Sequence, residues 1–398
     1  MRPRLLFVWE KFGPYHMDRC EALAERLGDR FDIVGVEIAS HADLYKWTPT
    51  GAGKRFAKTT LYPGVSSRDL GQFQYFRALF GAALASRAHH VFLCGYHFPP
   101  VFLAAICLRL LGRTLIVMND SKFDDKPRRI GREIVKALLY QPYHAAFAGS
   151  PRAASYLEFL GMRKDRIALG YDTESLDRIR ALAGNAPAPE GVPHAARHFT
   201  VIARFAPEKN LGLALAAYAL YRKSAGAAAR ELHLCGAGPL EAALKAQIAK
   251  NGIDGVRFLG YLQEDGIAKV LAATLALILP SVEEPFGLVV NEALAMGVPV
   301  ILSENCGARD LLVRSAVNGY VVEPDNEEGL ARHMALIAAD PAEWARLAAN
   351  SRAFQELADT RRFVAGVEQL LAALSPRGRD RSRPAAKTAP PLRSGAAP

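Results

Sequence analysis

The chain has 398 residues, half of them hydrophobic, and carries a formal net charge of +10. That length predicts two or three domains with a large core. No run of about eighteen apolar residues occurs, the opening segment is too short for a signal peptide, and the five scattered cysteines lack metal-ligand spacing. These features speak against a membrane-spanning or secreted disulfide-stapled protein and for a reduced, cytoplasmic one with structural thiols.

Short apolar runs alternate with amphipathic helical stretches along the whole chain. Strands are expected at 5–8, 32–36, 91–94, 114–118, 145–148 and 166–169, then at 199–203, 232–235, 256–259, 275–279, 298–302 and 320–322. Such alternation argues for parallel sheets covered on both faces. The Gly- and Pro-rich stretch 184–193 divides the series in two. We therefore expect a first domain over 1–182, a linker over 183–197 and a second domain over 198–360, with ligands held beyond the carboxyl ends of the strands in the cleft between them. Residues 376–398, rich in Pro, Arg and Ala, are expected to be disordered.

Polar residues gather at the expected strand ends of the second half. The turn 203–210 carries Arg204 and Lys209, two cations able to clamp a diphosphate, although a basic turn is in itself ordinary. Gly236 and Gly238 form a turn that permits close backbone approach. Tyr261 and Leu262 follow the third run and could sandwich a base or simply pack the core. The stretch Glu284-Pro285-Phe286-Gly287-Leu288-Val289-Val290-Asn291-Glu292 is the most informative. Pro285 and Gly287 break the preceding strand, and a helix is expected over 288–296. Two glutamates eight apart are commonly solvated surface residues. Here they flank helix-start amides that can receive an anion, and each can accept hydrogen bonds from hydroxyls.

The ordered set Arg204…Glu208-Lys209-Asn210, Gly236…Gly238-Pro239, Val256…Gly260-Tyr261, Glu284…Glu292 and Gly297-Val298-Pro299-Val300 resembles the retaining nucleotide-sugar glycosyltransferases of family 4. The resemblance is dense over about 199–325. It implies the GT-B fold, two Rossmann-like domains whose parallel sheets face an interdomain cleft, with a last helix near 361–374 crossing back to the first domain. It implies that Glu284 holds donor-sugar hydroxyls with the amides of Phe286, Gly287 and Leu288, and that Glu292 holds the ribose. Arg204 and Lys209 would neutralise the leaving diphosphate, and Tyr261 and Leu262 would line the base pocket. His97 would lie near the sugar. Gly13 and His16 stand in the loop after the first strand, where the family carries a glycine pair and this chain a single glycine. No metal or other cofactor is implied, and no Asp-x-Asp occurs.

The resulting expectation is transfer of a hexosyl unit, with retention, from a nucleotide-sugar donor to a saccharide or lipid-linked acceptor, in cell-envelope polysaccharide or glycolipid synthesis. A nucleotide-sugar epimerase or phosphorylase on the same fold, or a non-catalytic binding protein, are the alternatives. A dehydrogenase is disfavoured, since no strand runs into Gly-x-Gly-x-x-Gly. Charge adds a partner class. Residues 1–180 hold 27 Lys+Arg against 18 Asp+Glu, whereas 181–375 hold 17 against 21. Lys54, Arg55 and Lys58 near Trp47 and Tyr62, and Arg128, Arg129, Arg132 and Lys136 among Ile130, Ile134, Val135 and Leu138, suit an anionic lipid surface or an anionic acceptor. Peripheral association with the cytoplasmic face of a membrane follows as an expectation. Nucleic acid is not expected, because no motif for it is present.

Overall fold

A computed structural model describes residues 2–41 and 47–375. The expected basic tail, 376–398, lies outside the described residues. The strands are β1 (Arg4–Trp9), β2 (Asp32–His41), β3 (Ala57–Ser66), β4 (His90–Leu93), β5 (Thr114–Asn119), β6 (Ala145–Ala148), β7 (Ile167–Leu169), β8 (His198–Ile202), β9 (Leu232–Cys235), β10 (Val256–Gly260), β11 (Thr274–Leu279), β12 (Val300–Ser303) and β13 (Gly319–Val322). They form two sheets, of order β3-β2-β1-β4-β5-β6-β7 and β10-β9-β8-β11-β12-β13. Every pairing is parallel. Central strands such as β11 are buried along their whole length, which is why they read as unbroken apolar runs.

β3 was not expected. It is an edge strand containing Pro63 and Gly64, half-exposed and without apolar alternation, the usual composition of a strand that pairs on one side only. Its presence corrects the reading of Lys54, Arg55 and Lys58 as cations gathered for an anionic surface or acceptor. Lys58 is buried and pairs with Glu37 on the neighbouring strand at 2.8 Å, and Arg55 pairs with Glu25 at 2.8 Å. Pro299 delays the start of β12, so the expected strand at 298 begins at Val300.

The first sheet is covered on one face by helices Gln72–Ser86, Pro99–Leu110, Ile130–Tyr140 and Pro151–Phe159. Its other face receives helix Pro14–Leu27 together with the last described helix, Thr360–Leu374. Phe363, Val367 and Leu370 of that last helix are buried among Phe7, Phe92 and Phe147, with the Phe147–Phe363 ring centroids 4.8 Å apart. Each such side chain contributes about 1.5–3 kcal/mol by leaving water. The Gly- and Pro-rich segment is pinned to the second sheet's surroundings. Ala188 donates its amide to Met296 O at 2.8 Å. Arg197 lies over Trp344 and donates to the carbonyls of Ala272 and Thr274.

Candidate active site

In each sheet the strand order reverses between two adjacent central strands, β1/β4 in the first and β8/β11 in the second. Loops leaving neighbouring strands there diverge to opposite faces and open a crevice at the carboxyl edge. In the second sheet these loops are 203–210 and 280–288, and they carry Arg204, Lys209 and Glu284.

Loop 203–210 is held by backbone. Phe205 donates its amide to Ala237 O at 2.9 Å, and its ring is buried. Gly236 has φ +144, and a Cβ there would meet Ala203 O at 1.9 Å. A Cβ at Gly238 would meet Phe205 O at 2.4 Å. Both glycines thus serve to seat the loop that bears the cations. Asn210, at φ +55, donates its side-chain amide to Pro280 O and Pro324 O at 3.1 and 2.7 Å. Val282 donates to Glu208 O at 2.9 Å, which stitches the two loops together.

As a result Lys209 Nζ sits 2.6 Å from Glu284 Oε2, and Ser281 donates to the same oxygen at 3.1 Å. Glu284 is buried. Arg204 is more exposed and pairs with Glu208. Phe286 turns its ring into the core, leaving only its backbone for a ligand. Gly287 has φ +101, where a Cβ would approach Cys306 Sγ and Leu279 Cδ2 at 3.0 Å. The amides of Phe286, Gly287 and Leu288 make no hydrogen bond among the described residues, while the Phe286 and Glu284 carbonyls accept from Ala308 and Gly307. The helix begins at Val289.

Glu292 lies half-buried on that helix in an acidic setting. Burial and Glu264 push its carboxyl up, against the opposing pull of Arg178. Glu174 is buried beside it and is pushed well above the carboxylate range by burial first and Glu292 second. Arg178 is the counterion of the group, 2.8 Å from Asp18 and paired with Glu264. Tyr261 is exposed and Leu262 half-buried at the end of β10, the edge strand. From the first domain Thr48 reaches this loop, donating to Gln263 Oε1 at 3.4 Å.

The first domain's candidates divide. His97 is exposed in the turn after β4, its ring edge-on to Tyr96. His16 is buried, stacks on Trp9 with ring centroids 4.4 Å apart, and accepts the Gly13 amide on Nδ1 at 2.9 Å. Burial and Arg19 hold it well below the usual histidine range, so it is a neutral helix cap. A Cβ at Gly13 would meet the Trp47 ring at 2.8 Å, which explains the lone glycine there.

Three groups had no role assigned from sequence. Asp120, after β5, and Asp172 press against one another across Gly149, whose Cβ position lies 2.1 Å from Asp172 Oδ2 and 3.3 Å from Asp120 Cβ. Burial raises both carboxyls, and neighbouring acids raise them further: Asp120 acts on Asp172, and Asp125 and Glu284 act on Asp120. Fully buried Arg19, 3.6 Å from Asp172, is their counterion. Arg152, at the start of its helix in the first domain, reaches the second. It donates to both Asp310 oxygens at 3.0 and 2.9 Å, to Cys306 O at 2.6 Å, and pairs with Asp124. Arg152 and Arg178 leave no local signal in the sequence, because Asp310, Asp18 and Glu264, which they hold, are more than eighty residues away in the chain.

Two parallel sheets meeting at a crevice, with cations, carboxylates and free amides at the switch point, define a GT-B architecture. Anabaena HepE, solved in complex with UDP and glucose, superposes with a TM-score of 0.69 at 18% identity, over 94% of this chain and all of that one. Sucrose-phosphate synthase from Thermosynechococcus elongatus superposes at 0.68 and 19% identity, over 94% and 99% of the two chains. Residues 185–354 match the family model of group 1 glycosyl transferases. Among curated relatives, an uncharacterized glycosyltransferase of Methanocaldococcus jannaschii is 38% identical over 76 residues, 19% of either chain. The amylovoran biosynthesis glycosyltransferase AmsK of Erwinia amylovora is 30% identical over 137 residues, 33% of either chain. These matches take in a third or less of each relative.

Proposed function

We propose that the protein is a retaining glycosyltransferase of family 4 that moves a hexosyl unit from a nucleoside-diphosphate sugar to an acceptor hydroxyl. The observation that carries this reading is the contact of Lys209 with Glu284 beside the unpaired amides of 286–288. A carboxylate able to accept sugar hydroxyls, a cation able to take up leaving-group charge and backbone donors thereby share one crevice. Glu292 would accept the ribose hydroxyls, with Arg178 limiting the repulsion of its acidic neighbours. Arg204 and Lys209 would meet the diphosphate as it departs, without recourse to a metal. A front-face route, in which a leaving-diphosphate oxygen takes the acceptor proton, accounts for retention. The group 1 match and the AmsK likeness support transfer in cell-envelope polysaccharide or glycolipid synthesis over an epimerase or a binding protein.

The test is a thermal-shift panel of UDP-, GDP- and ADP-sugars, followed by turnover with the donor that stabilises and assignment of the product anomer by NMR. A donor at about a hundred times its dissociation constant should add ~2.7 kcal/mol. An inverted anomer would remove the retaining assignment, and stabilisation without any turnover would favour a binding protein.

A further inference from the structure

The helix Ile130–Tyr140 places Glu133 and Tyr140 inward and turns an apolar stripe outward. Ile130, Ile134 and Leu138 are 82%, 57% and 60% exposed, and Val135 beside them is 55% exposed. A soluble amphipathic helix turns such a stripe to the core. The flank extends in both directions. Arg109, near the end of helix Pro99–Leu110, donates to the carbonyls of Gln141 and Pro142, bringing exposed Leu110 and Leu111 next to the stripe's end. On the other side Lys136 and Arg128 both bond Tyr156 OH, at 2.7 and 2.9 Å, which ties the helix to Pro151–Phe159. There Phe123 and Phe159, both exposed, pack edge to face at 5.4 Å.

The charge of this flank is basic. Residues 99–166 hold twelve Lys+Arg against six Asp+Glu. The acids are mostly engaged: Asp125 with Lys122, Asp124 with Arg152, and Glu133 with Arg128, Lys136 and Tyr156. Glu158 is the exposed exception. Arg128 and Lys136, expected as free surface cations, are therefore spoken for. Arg129, at the helix N-cap, and exposed Arg132 have no acidic partner among the described residues.

We propose that this flank docks on an anionic lipid bilayer, with Ile130, Ile134, Val135 and Leu138 entering the acyl boundary and Arg129 and Arg132 meeting headgroup phosphates. Exposed aliphatic residues in line, an adjoining aromatic pair and flanking unpaired arginines are the combination that an interfacial helix uses. A second copy of the same flank would bring like charges together, so the lipid surface is the better-matched occupant. No helix among the described residues is long and apolar enough to cross a membrane, so the attachment is peripheral. The helix is entered from the loop that leaves β5 at the carboxyl edge of the sheet, so docking sets the crevice rim beside the lipid. Only this last point rests on the transferase reading, which it deepens by placing the acceptor at a membrane.

Full-length protein is co-sedimented with vesicles of pure phosphatidylcholine and of phosphatidylcholine with one part in three phosphatidylglycerol, without donor or acceptor. Failure of binding is then separate from failure of transfer. Binding should require the anionic vesicles and weaken from low to physiological salt. The double variant Ile134→Asp, Leu138→Asp should bind at least about tenfold more weakly. Arg129→Gln with Arg132→Gln should lose about fivefold per arginine and flatten the salt dependence. Unchanged melting temperatures show that both variants fold, as expected for exposed positions. The inference is overturned by equal binding to both vesicle types, by no binding to either, or by wild-type binding in the Ile134/Leu138 variant, which would assign attachment to another basic segment. A dimer in sedimentation velocity that this variant converts to monomer would overturn it in favour of a second copy.

Discussion

Lys209 and Glu284, 75 residues apart in the chain, are bonded at 2.6 Å across the switch point of the second sheet, with Glu284 buried. In the resting protein the cation proposed for the diphosphate therefore also neutralises the carboxylate proposed for the sugar. Donor binding must be read as a redistribution of that contact.

Glu284→Gln is expected to lower turnover by about a hundredfold or more, as for loss of one transition-state contact. Nucleoside diphosphate affinity should change by less than about threefold. Lys209→Met removes the one cation bonded to buried Glu284 among the described residues and should cost roughly 1–3 kcal/mol of stability. Combining it with Glu284→Gln should recover most of that stability and none of the activity. Calorimetry and thermal melts on the four proteins check this, and wild-type turnover in Glu284→Gln would end the site assignment.

Glu292→Gln should weaken free nucleoside diphosphate as well as the sugar-bearing donor, since its proposed partner is the ribose. A loss of roughly tenfold to a hundredfold, the range of one hydrogen bond to a charged group, is expected in both titrations. A loss confined to the sugar-bearing donor would move Glu292 from the ribose to the sugar.

Arg152 holds the loop 306–310 against the first domain, and that loop in turn donates the Gly307 and Ala308 amides to the carbonyls of Glu284 and Phe286. Arg152→Met should loosen the two domains at a partly exposed contact, costing about 1 kcal/mol of stability. Its larger effect should be a raised donor KM, because the amides of 286–288 lose their backing. A variant that melts earlier but keeps the wild-type KM would reduce Arg152 to a structural tie.

Glu174 gives a pH signature. Its carboxyl is pushed well above the usual carboxylate range by burial and by Glu292. A carboxyl raised on folding binds its proton more tightly in the folded state, so stability falls as pH climbs above the unfolded value and keeps falling until the folded group ionises. Glu174→Gln cannot ionise. Its melting temperature relative to the wild type should be lowest near pH 4, rise through pH 5 to 7, and not fall back. A pH-independent difference would show that Glu174 does not carry the effect.

Much of this arrangement was legible from residue order. Strands buried on both faces, such as β1 and β11, announce themselves as apolar runs, and the turns that follow them carried the donor-side candidates. β3 escaped because an edge strand with Pro63 and Gly64 has no apolar period. Lys58 misled for the same reason. Parallel pairing sets Gly35 opposite Lys58 and Glu37 opposite Thr60, so that Glu37 neutralises the lysine, a relation that only the register reveals. The pairing of Arg178 with Asp18 and of Arg152 with Asp310 spans about 160 residues and leaves no local trace. His16 carried a polar residue's signature in a strand-end loop, yet its ring was already committed to the Gly13 amide.

The return of helix Thr360–Leu374 beneath the first sheet has a consequence for how the protein is made. Phe7, Phe92 and Phe147 emerge from the ribosome early, but the helix that completes their cover follows only after the whole second sheet. Until then the part of that sheet face that helix Pro14–Leu27 does not cover stays bare, a sticky intermediate that invites wrong partners or a chaperone. A fragment cut at the segment between the domains would inherit that bare face permanently, whereas the same fragment supplied with residues 360–375 as a separate peptide should fold.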